Sequence, residues 1–254
     1  MRLRQIALVG ADLAACSADI AAVLGVDRPY DDPGVHKYGL RNAVFAVGQT
    51  FLEVVSPQEP GTTAGRLIDK RGGDGGYMVI LQTRDLAAAR ATATAAGARI
   101  VEQIDGDGYA ATHFHPRDVG GAILSIDWME PWDRWEWGGS GWRESAGAGA
   151  DLAIVGAELQ AESPAAMVAR WSQVLGLPAL DQNGWRIALE GGEVRFVPVS
   201  DGRGEGLRGF DVATAAPDTI LERARAQGLA VDGDVVDLCG ARMRVVTAPA
   251  TTSG

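Results

Sequence analysis

Histidine and cysteine, the side chains that most often ligate metals or act as nucleophiles, are sparse in this chain. Three histidines and two cysteines occur among its 254 residues. His113 and His115 alternate across Phe114 and so would share one strand face, but no two histidines have the helical spacing of a zinc motif. Cys16 and Cys239 are far apart and lack a metal-ligand spacing, which indicates two reduced thiols. The sequence therefore predicts neither a zinc site nor a cysteine–histidine nucleophile.

Internal repeats in the sequence indicate which strands and helices would position a functional site. The segment "QIALVGADL" at 5–13 is similar to "LAIVGAEL" at 152–159, and each precedes an alanine-rich stretch that ends at a glycine. "YMVILQTRDL" at 77–86 begins a related strand and helix, and the stretch 209–231 repeats it. Short alternating runs separated by turn residues follow each helix. This pattern predicts four β-α-β-β-β units and an α+β fold.

Helix boundaries and unit boundaries follow from local signals. Ser163 is a favourable N-cap and Pro164 suits the first helical position, and a second helix is predicted over 85–96. Each unit has one helix for about four strands, so one sheet face is covered and the other is left concave. Two units side by side would enclose a cavity of the kind that binds ligands. The predicted organisation is a first domain over 1–130, a linker over 131–148 and a second domain over 149–250.

Charge and hydropathy limit the class of partner. Lys and Arg total 23 against 33 Asp and Glu, for a formal net charge of -10. Such a charge disfavours nucleic acid and anionic membrane surfaces, so we expect a small-molecule ligand. Asp12 and Asp19 interrupt the N-terminal apolar run, and no apolar stretch approaches the ~18 residues of a membrane span. A cytoplasmic protein is expected.

The predicted linker is unusual for its tryptophans. It is rich in Gly and Ser and fits no strand or helix period. Five of the seven tryptophans lie in or beside it: Trp128, Trp132, Trp135, Trp137 and Trp142. Two interpretations are open, because the rings could fix the two halves, or two subunits of a homodimer, against each other, or could form a wall that stacks on a flat ligand.

The stretch "HPRDVGGAILSID" at 115–127, taken with "QIALVGADL", "NAVFAVGQTFLEVVSP" and the repeat, resembles the vicinal oxygen chelate superfamily. That superfamily includes glyoxalase I, methylmalonyl-CoA epimerase, extradiol dioxygenases and the fosfomycin and bleomycin resistance proteins. The stretch is most similar to the glyoxalase-like and epimerase-like branch. The resemblance implies two domains, each a strongly curved, mainly antiparallel open sheet built from two units around a cavity.

The resemblance further implies a divalent metal, held by about four inward side chains, that stabilises an enolate or related anion. The equivalent positions here are Gln5, Glu53, Met78 and Ser125. A thioether prefers soft metals and a neutral hydroxyl is a poor ligand for hard cations. We therefore expect an eroded site and no resident cofactor, and a metal, if bound, would be held by Gln5 and Glu53.

Other residues enter through the same resemblance. Asp127 lies two residues beyond Ser125, on the same strand face, where a register change would let it supply the missing carboxylate. Thr112 and Phe114 are expected to point into the cavity, which would place His113 outside. The predicted substrate-binding residues are thus Met78, Ser125, Asp127, Thr112 and Phe114. The segment "PGVHKYGLRN", with His36, Tyr38, Arg41 and Asn42, is either a cavity rim or a solvated loop.

The equivalent positions of the second half are Asp151, Arg195 or Phe196, Gly209 and Arg244, as the resemblance implies. Arginine in such a cavity repels metal ions and attracts anions. The second half is therefore expected to have a structural role or to bind an anionic group.

Glu53 carries the most specific chemical hypothesis. In an apolar cavity without a metal, desolvation would raise its pKa and make it a general base for removing a proton beside a carbonyl. Gln5 would then hold the resulting anion through its amide N–H. The alternative is that Gln5 and Glu53 hydrogen-bond each other across neighbouring strands. The two functions that remain open are a lyase, isomerase or epimerase of small carbonyl compounds and a non-catalytic protein that sequesters a small molecule.

Overall fold

The chain folds into two seven-stranded sheets with helices packed against them. The structure is a computed structural model and describes residues 1–181 and 184–248. Strands β1 to β7 form the first sheet in the order β2-β3-β1-β4-β7-β6-β5 and strands β8 to β14 form the second in the order β12-β13-β14-β11-β8-β10-β9. The strands are β1 (Arg2–Val9), β2 (Leu40–Val47), β3 (Thr50–Pro57), β4 (Gly75–Gln82), β5 (Ile100–Gly106), β6 (Tyr109–Phe114), β7 (Ile123–Met129), β8 (Ala153–Ala161), β9 (Trp185–Leu189), β10 (Gly192–Pro198), β11 (Gly206–Thr214), β12 (Val231–Asp232), β13 (Val235–Leu238) and β14 (Ala241–Thr247).

Helices occupy one face of each sheet and the connections. They are α1 (Leu13–Leu24), α2 (Thr63–Arg71), α3 (Leu86–Ala95), α4 (Pro116–Val119), α5 (Trp142–Ser145), α6 (Pro164–Leu175) and α7 (Pro217–Ala226), with short 3-10 helices at Pro33–Tyr38, Glu136–Gly138 and Gly147–Gly149. No helix in the ranges 1–181 and 184–248 is both long and apolar enough to span a membrane.

Local signals explain where the main helices begin. The side chains of Asp12, Asp85 and Ser163 cap the first turns of α1, α3 and α6 by accepting backbone N–H groups. Pro164 takes the first position of α6. The helix starts predicted at Ser163 and near residue 85 are confirmed.

The α+β fold of two curled, mainly antiparallel sheets is confirmed, with one adjustment to the repeat. The second and fourth units contribute four strands each, whereas the first and third contribute three. In the latter two, the strand expected after the helix is reduced to one bridge, Tyr30 to Val44 and Leu180 to Arg186. The internal symmetry is therefore kept, but the edge strand of these units is almost lost.

Two hydrophobic clusters account for the packing. The larger one lies on the helix-bearing faces and contains residues of both sheets, including Ile6, Phe114, Trp171 and Phe210. The smaller one lies on the opposite, concave face of the first sheet, and there Phe51 and its neighbours pack against Trp135 and Trp142 of the linker, residues 131–148. The concave face that was expected to enclose a cavity is therefore covered by the chain itself.

Candidate functional site

Glu53, on β3, lies on the concave face of the first sheet and is 6% exposed. Its Oε2 accepts a hydrogen bond from Gln5 Nε2 at 2.8 Å, and its Oε1 accepts one from Asn42 Nδ2 at 2.6 Å. Burial raises the pKa of Glu53 to about 7, although the hydrogen bonds from both amides act to lower it. The carboxyl group is therefore poised to change protonation state near neutral pH.

Three neighbouring strands supply these side chains. β1 runs parallel to β3, and Ala7 pairs with Glu53, so that Gln5 lies one same-face step away on β1. β2 pairs antiparallel with β3, with Val44 opposite Glu53, which puts Asn42 on the same face. The alternation of strand side chains thus brings together three polar groups that are distant in sequence.

A second buried carboxyl group lies on the same face. Asp127, on β7, accepts a hydrogen bond from Ser125 Oγ at Oδ1 and one from the indole Nε1 of Trp137 at Oδ2, the latter at 2.6 Å. Burial raises the pKa of Asp127 to about 7 against the lowering effect of both hydrogen bonds. The concave face therefore holds two acids whose ionised forms are disfavoured by desolvation.

The linker covers both carboxyl groups. Trp135 donates its indole N–H to Gln5 Oε1 at 2.7 Å and stacks on Phe51 with a centroid distance of 5.8 Å. Trp142 meets the edge of Phe51 at 5.3 Å. The two tryptophans and Trp137 form a wall over the site, rather than packing between the two halves. Whether they stack on a ligand remains a prediction.

A buried arginine fixes the linker to the sheet. The guanidinium group of Arg4 lies 5.2 to 5.5 Å from the ring centroids of Phe51, Trp135 and Trp142 and donates to the backbone carbonyls of Gln49 and Asp133. Burial lowers the pKa of Arg4 to about 9. The cation is therefore held by aromatic faces and carbonyl oxygens.

The mouth of the concave face is crossed by an ion pair. Lys37, in the 3-10 helix before β2, contacts Glu102 on β5 at 2.7 Å. β2 and β5 are the two edge strands of the first sheet. The contact therefore connects the segment that precedes one edge strand with the opposite edge strand. Both side chains are partly exposed, so the pair contributes little to stability. In the segment 33–42, Asn42 reaches the site, whereas Arg41 forms an exposed ion pair with Asp31 and the His36 ring lies 3.7 Å from the same carboxylate.

The structure brings five of the predicted residues onto one surface: Gln5, Glu53, Met78, Ser125 and Asp127. Ala7 lies opposite both Glu53 and Met78. Ile80 lies opposite both Gln5 and Ser125. Gln5 and Glu53 also make the direct hydrogen bond that was expected as the alternative to an anion-binding role for Gln5.

The prediction that Thr112 and Phe114 face the cavity is wrong. Thr112 Oγ1 accepts a hydrogen bond from Arg90 Nε of α3 at 2.6 Å, and Phe114 is part of the core beneath the helices. His113 lies between them in sequence and pairs with Ser125, so it is His113 that faces the concave side. Burial lowers the pKa of His113 to about 4. A register shift of one residue moves every side chain of a strand to the other face of the sheet. The prediction assigned the two faces of this strand the wrong way round.

The residues present do not fit a hard divalent cation. Both carboxylate oxygens of Glu53 accept amide hydrogen bonds, and Gln5 Oε1 accepts the indole N–H of Trp135. The remaining positions offer the thioether of Met78 and the hydroxyl of Ser125, which is bonded to Asp127. Within residues 1–181 and 184–248, no group of three His, Cys, Asp or Glu side chains is arranged to hold a metal.

The second sheet carries an ion-pair network at the equivalent positions. Arg195 and Arg244 each contact both carboxylate oxygens of Asp211, and Arg195 and Arg208 contact Glu158 at 3.3 and 3.0 Å. These contacts lower the pKa of Asp211 against its burial. The arginines are thus largely neutralised by carboxylates of the same sheet, which supports a structural role for this face.

The expected correspondence of the halves holds at three positions and fails at one. Arg195, Gly209 and Arg244 occupy the places of Glu53, Met78 and Ser125 in the strand pairing. Asp151 instead lies exposed in the turn before β8. Alignment of the helix N-caps Asp12 and Ser163 makes Gly156, rather than Asp151, the residue equivalent to Gln5. The residues that match when the two segments are aligned by sequence therefore do not occupy equivalent positions in the two sheets.

Two kinds of functional residue were missed or left undecided by the sequence. Asn42 stood in a segment that was interpreted as either a cavity rim or, preferably, a solvated loop, although the alternation of β2 pointed to its inward face. The contacts of Trp135 and Trp137 with Gln5 and Asp127 join residues up to 130 positions apart, and no local pattern signals them.

Comparison with known proteins gives a consistent result. A family model described as a glyoxalase-like domain matches residues 6–175. An ethylmalonyl-CoA/methylmalonyl-CoA epimerase of Cereibacter sphaeroides is 26% identical over 132 residues, which cover 50% of this chain and 96% of the epimerase. The matched model spans the first sheet, the linker and the beginning of the second sheet.

Solved structures with the same fold extend the similarity to both sheets. A mutant of 4-hydroxymandelate synthase from Streptomyces coelicolor superposes with a TM-score of 0.67 at 13% identity, over 90% of this chain and 75% of that protein. A hypothetical protein from Staphylococcus aureus gives a TM-score of 0.65 at 13% identity, over 97% and 99% of the two chains. At these identities the likeness concerns the fold alone.

Proposed function

The chain belongs to the glyoxalase-like domain family of the vicinal oxygen chelate superfamily, and from this premise we propose that it catalyses proton transfer beside the carbonyl group of a small molecule. The reaction is of the isomerase, epimerase or lyase type. Glu53 is the general base, and no metal takes part in the step.

The observation that carries the proposal is the state of Glu53. Its carboxyl group is buried, has a pKa of about 7 and accepts one hydrogen bond from each of two neutral side-chain amides. A base is most effective when its pKa lies near the working pH, because it is then both partly ionised and strongly basic. Neutral amide donors orient the carboxylate without the large pKa depression that an adjacent cation would cause.

Gln5 and Asn42 act in this proposal as positioning residues. Each donates one amide hydrogen bond to a different oxygen of Glu53, which fixes the plane of the carboxylate. Gln5 is itself fixed by the N–H of Trp135. Because the linker covers Glu53, a substrate reaches the base only after Trp135 has moved away from Gln5, and the vacated Oε1 of Gln5 then becomes available to a hydrogen-bond donor of the substrate.

The probe substrates follow from the relative that is matched in sequence. That protein is an epimerase of ethylmalonyl-CoA and methylmalonyl-CoA. Epimerisation at a carbon beside a thioester requires removal of a proton from one face of the carbon and delivery of a proton to the other face, and the removal is the step proposed for Glu53. Methylmalonyl-CoA and ethylmalonyl-CoA are therefore the first compounds to test.

The experiment measures incorporation of solvent deuterium at the carbon beside the thioester by NMR. We expect exchange with the native protein and a loss of roughly 10²-fold or more with Glu53→Gln, the magnitude typical of a general base. Glu59→Gln, a change at an exposed glutamate, serves as the matched control and should leave the rate unchanged. Full activity of Glu53→Gln would remove Glu53 from the mechanism.

A sequestering protein is the second candidate, because the aromatic wall of Trp135, Trp137 and Trp142 already encloses the site. For that function a ligand would quench tryptophan fluorescence with equal affinity in the native protein and in Glu53→Gln, and no deuterium would be exchanged. The two readouts together separate the candidates.

A further inference from the structure

The only two cysteines of the chain, Cys16 and Cys239, meet at the junction between its halves. Cys16 lies in the first turn of α1, and Cys239 lies in the loop between β13 and β14. The thiol of Cys239 donates to the carbonyl oxygen of Cys16 at 3.7 Å, so the two residues are in direct contact. Residues separated by 223 positions have therefore been brought together by the packing of one sheet on the other.

The backbone at Cys239 is unusual. Leu238 and Ala241 pair directly, so Cys239 and Gly240 form a two-residue hairpin loop. Both have positive φ, +50° and +67°. A loop of this type favours Asn-Gly, and a residue such as cysteine adopts the left-handed conformation only at a cost in free energy. Such an outlier points to a role for the side chain that it presents.

Arg203 holds the hairpin rigidly against the first half. Its guanidinium group donates to the carbonyl oxygens of Arg71, Gly73 and Asp74, which belong to the first half, and to Gly240 at 3.0 Å. Asp74 in turn accepts the backbone N–H of Ala11 at 2.8 Å and the Cys16 thiol at 3.7 Å. The positions of both thiols are thus set by one network of hydrogen bonds.

We infer that Cys16 and Cys239 form a reversible disulfide when the protein meets a peroxide, and that this bond joins the two halves. Cys239, the more exposed thiol, is oxidised first: its sulfur takes one oxygen as the peroxide O–O bond breaks, and one water is released. The sulfur of Cys16 then attacks the sulfenic acid, the S–S bond forms, the S–O bond breaks, and the hydroxyl leaves with the remaining proton as a second water. This inference is independent of the proposed catalytic function.

The surroundings of Cys239 favour its thiol form over the thiolate. The contact with Cys16, burial, and the nearby carboxylates of Asp19 and Asp74 raise the pKa of Cys239. Because the thiolate is the reactive species, oxidation by dilute peroxide should be slow, over minutes to hours rather than seconds.

The test treats the folded, reduced protein with hydrogen peroxide, blocks the remaining thiols with a maleimide and measures intact mass. We expect both thiols to disappear together in monomeric protein, a peptide digest to contain the Cys16–Cys239 link, and dithiothreitol to restore both thiols. The oxidised protein should melt several degrees above the reduced one, because a link between distant positions restricts the unfolded chain.

Cys239→Gly is the matched variant, since glycine adopts the left-handed conformation of this loop without cost. The variant should fold, and its remaining thiol, Cys16, should form no disulfide. Its melting temperature should be the same with and without peroxide. Cys16→Ser provides the reciprocal test. Retention of both thiols in the folded native protein, oxidation of Cys239 to sulfinic acid without a link, or links only between chains would each overturn the inference.

Discussion

The indole N–H of Trp135 donates a hydrogen bond to the side-chain oxygen of Gln5, 2.7 Å away and 130 positions earlier in the chain. The other end of the Gln5 amide donates to Glu53. The linker is therefore bonded to the candidate base through a single intervening side chain. Any movement of Trp135 away from the sheet must break this bond.

Trp135→Phe should destabilise the protein by removing the donor while keeping a ring against Phe51. The side-chain oxygen of Gln5 would be left buried without its partner, which typically costs about 1–3 kcal/mol. Urea unfolding measures the effect. Trp142→Phe, which also packs on Phe51 but does not contact Gln5, is the control. Equal losses for the two variants would show that the hydrogen bond contributes nothing beyond packing.

The pH dependence of stability should report the raised pKa of Glu53. The folded state binds this proton more tightly than the unfolded chain, whose glutamate has an ordinary pKa of 4.5. The contribution of Glu53 to stability is therefore full below pH 4.5, falls between pH 4.5 and about 7, and is lost above that, by on the order of 3 kcal/mol.

Other groups titrate in the same window, so variants must be compared at each pH. His113 has the opposite effect, because its lowered pKa makes stability increase as pH rises from about 4 to 6.5. The free energy of unfolding of Glu53→Gln relative to the native protein should increase from pH 5 to pH 8, as measured by urea titration. Glu59→Gln should show no such trend, and a flat difference for Glu53→Gln would contradict the pKa assignment.

The double variant Met78→His with Ser125→Glu should gain affinity for Mn²⁺ or Ni²⁺ that the native protein lacks. The two new ligands would join Glu53 on one sheet face, with the imidazole and carboxylate donors that such cations prefer. Isothermal titration against the native protein measures the gain. A folded double variant that binds no metal would mean that these positions do not converge.

Gly156→Ala should disrupt the ion pairs of the second sheet. A Cβ at this position would overlap the carboxylate of Asp211 and approach Arg195 Nη1 at 3.0 Å. Displacing one partner of a buried pair leaves an uncompensated charge, so we expect a loss of about 3 kcal/mol or more. Gly141→Ala meets open space and should be nearly neutral. A tolerated Gly156→Ala would show that the network is adaptable.

Sequence patterns were most informative where local signals were strong, and the resemblance supplied what they did not. Ser163 and Pro164 marked a helix start, whereas the inward position of Glu53 was carried over from the resemblance to the vicinal oxygen chelate superfamily. The reversal of Thr112 and Phe114 arose because their inward position was carried over from the resemblance, and the alternation of the strand, with apolar residues on both faces, did not correct the register. Asp151 was misplaced because the two halves were aligned by the similarity of their sequences rather than by their helix N-caps. The bond between Trp135 and Gln5 depends on tertiary packing, which no local pattern encodes.

Titration of the Glu53 carboxyl group itself, by infrared difference spectroscopy or ¹³C NMR with Glu53→Gln to assign the signal, tests the central claim most directly. We predict a midpoint near pH 7, as expected for a buried acid held by two neutral amides. A midpoint at or below pH 5 would show an ordinary carboxylate and would contradict the role of Glu53 as a base tuned by burial.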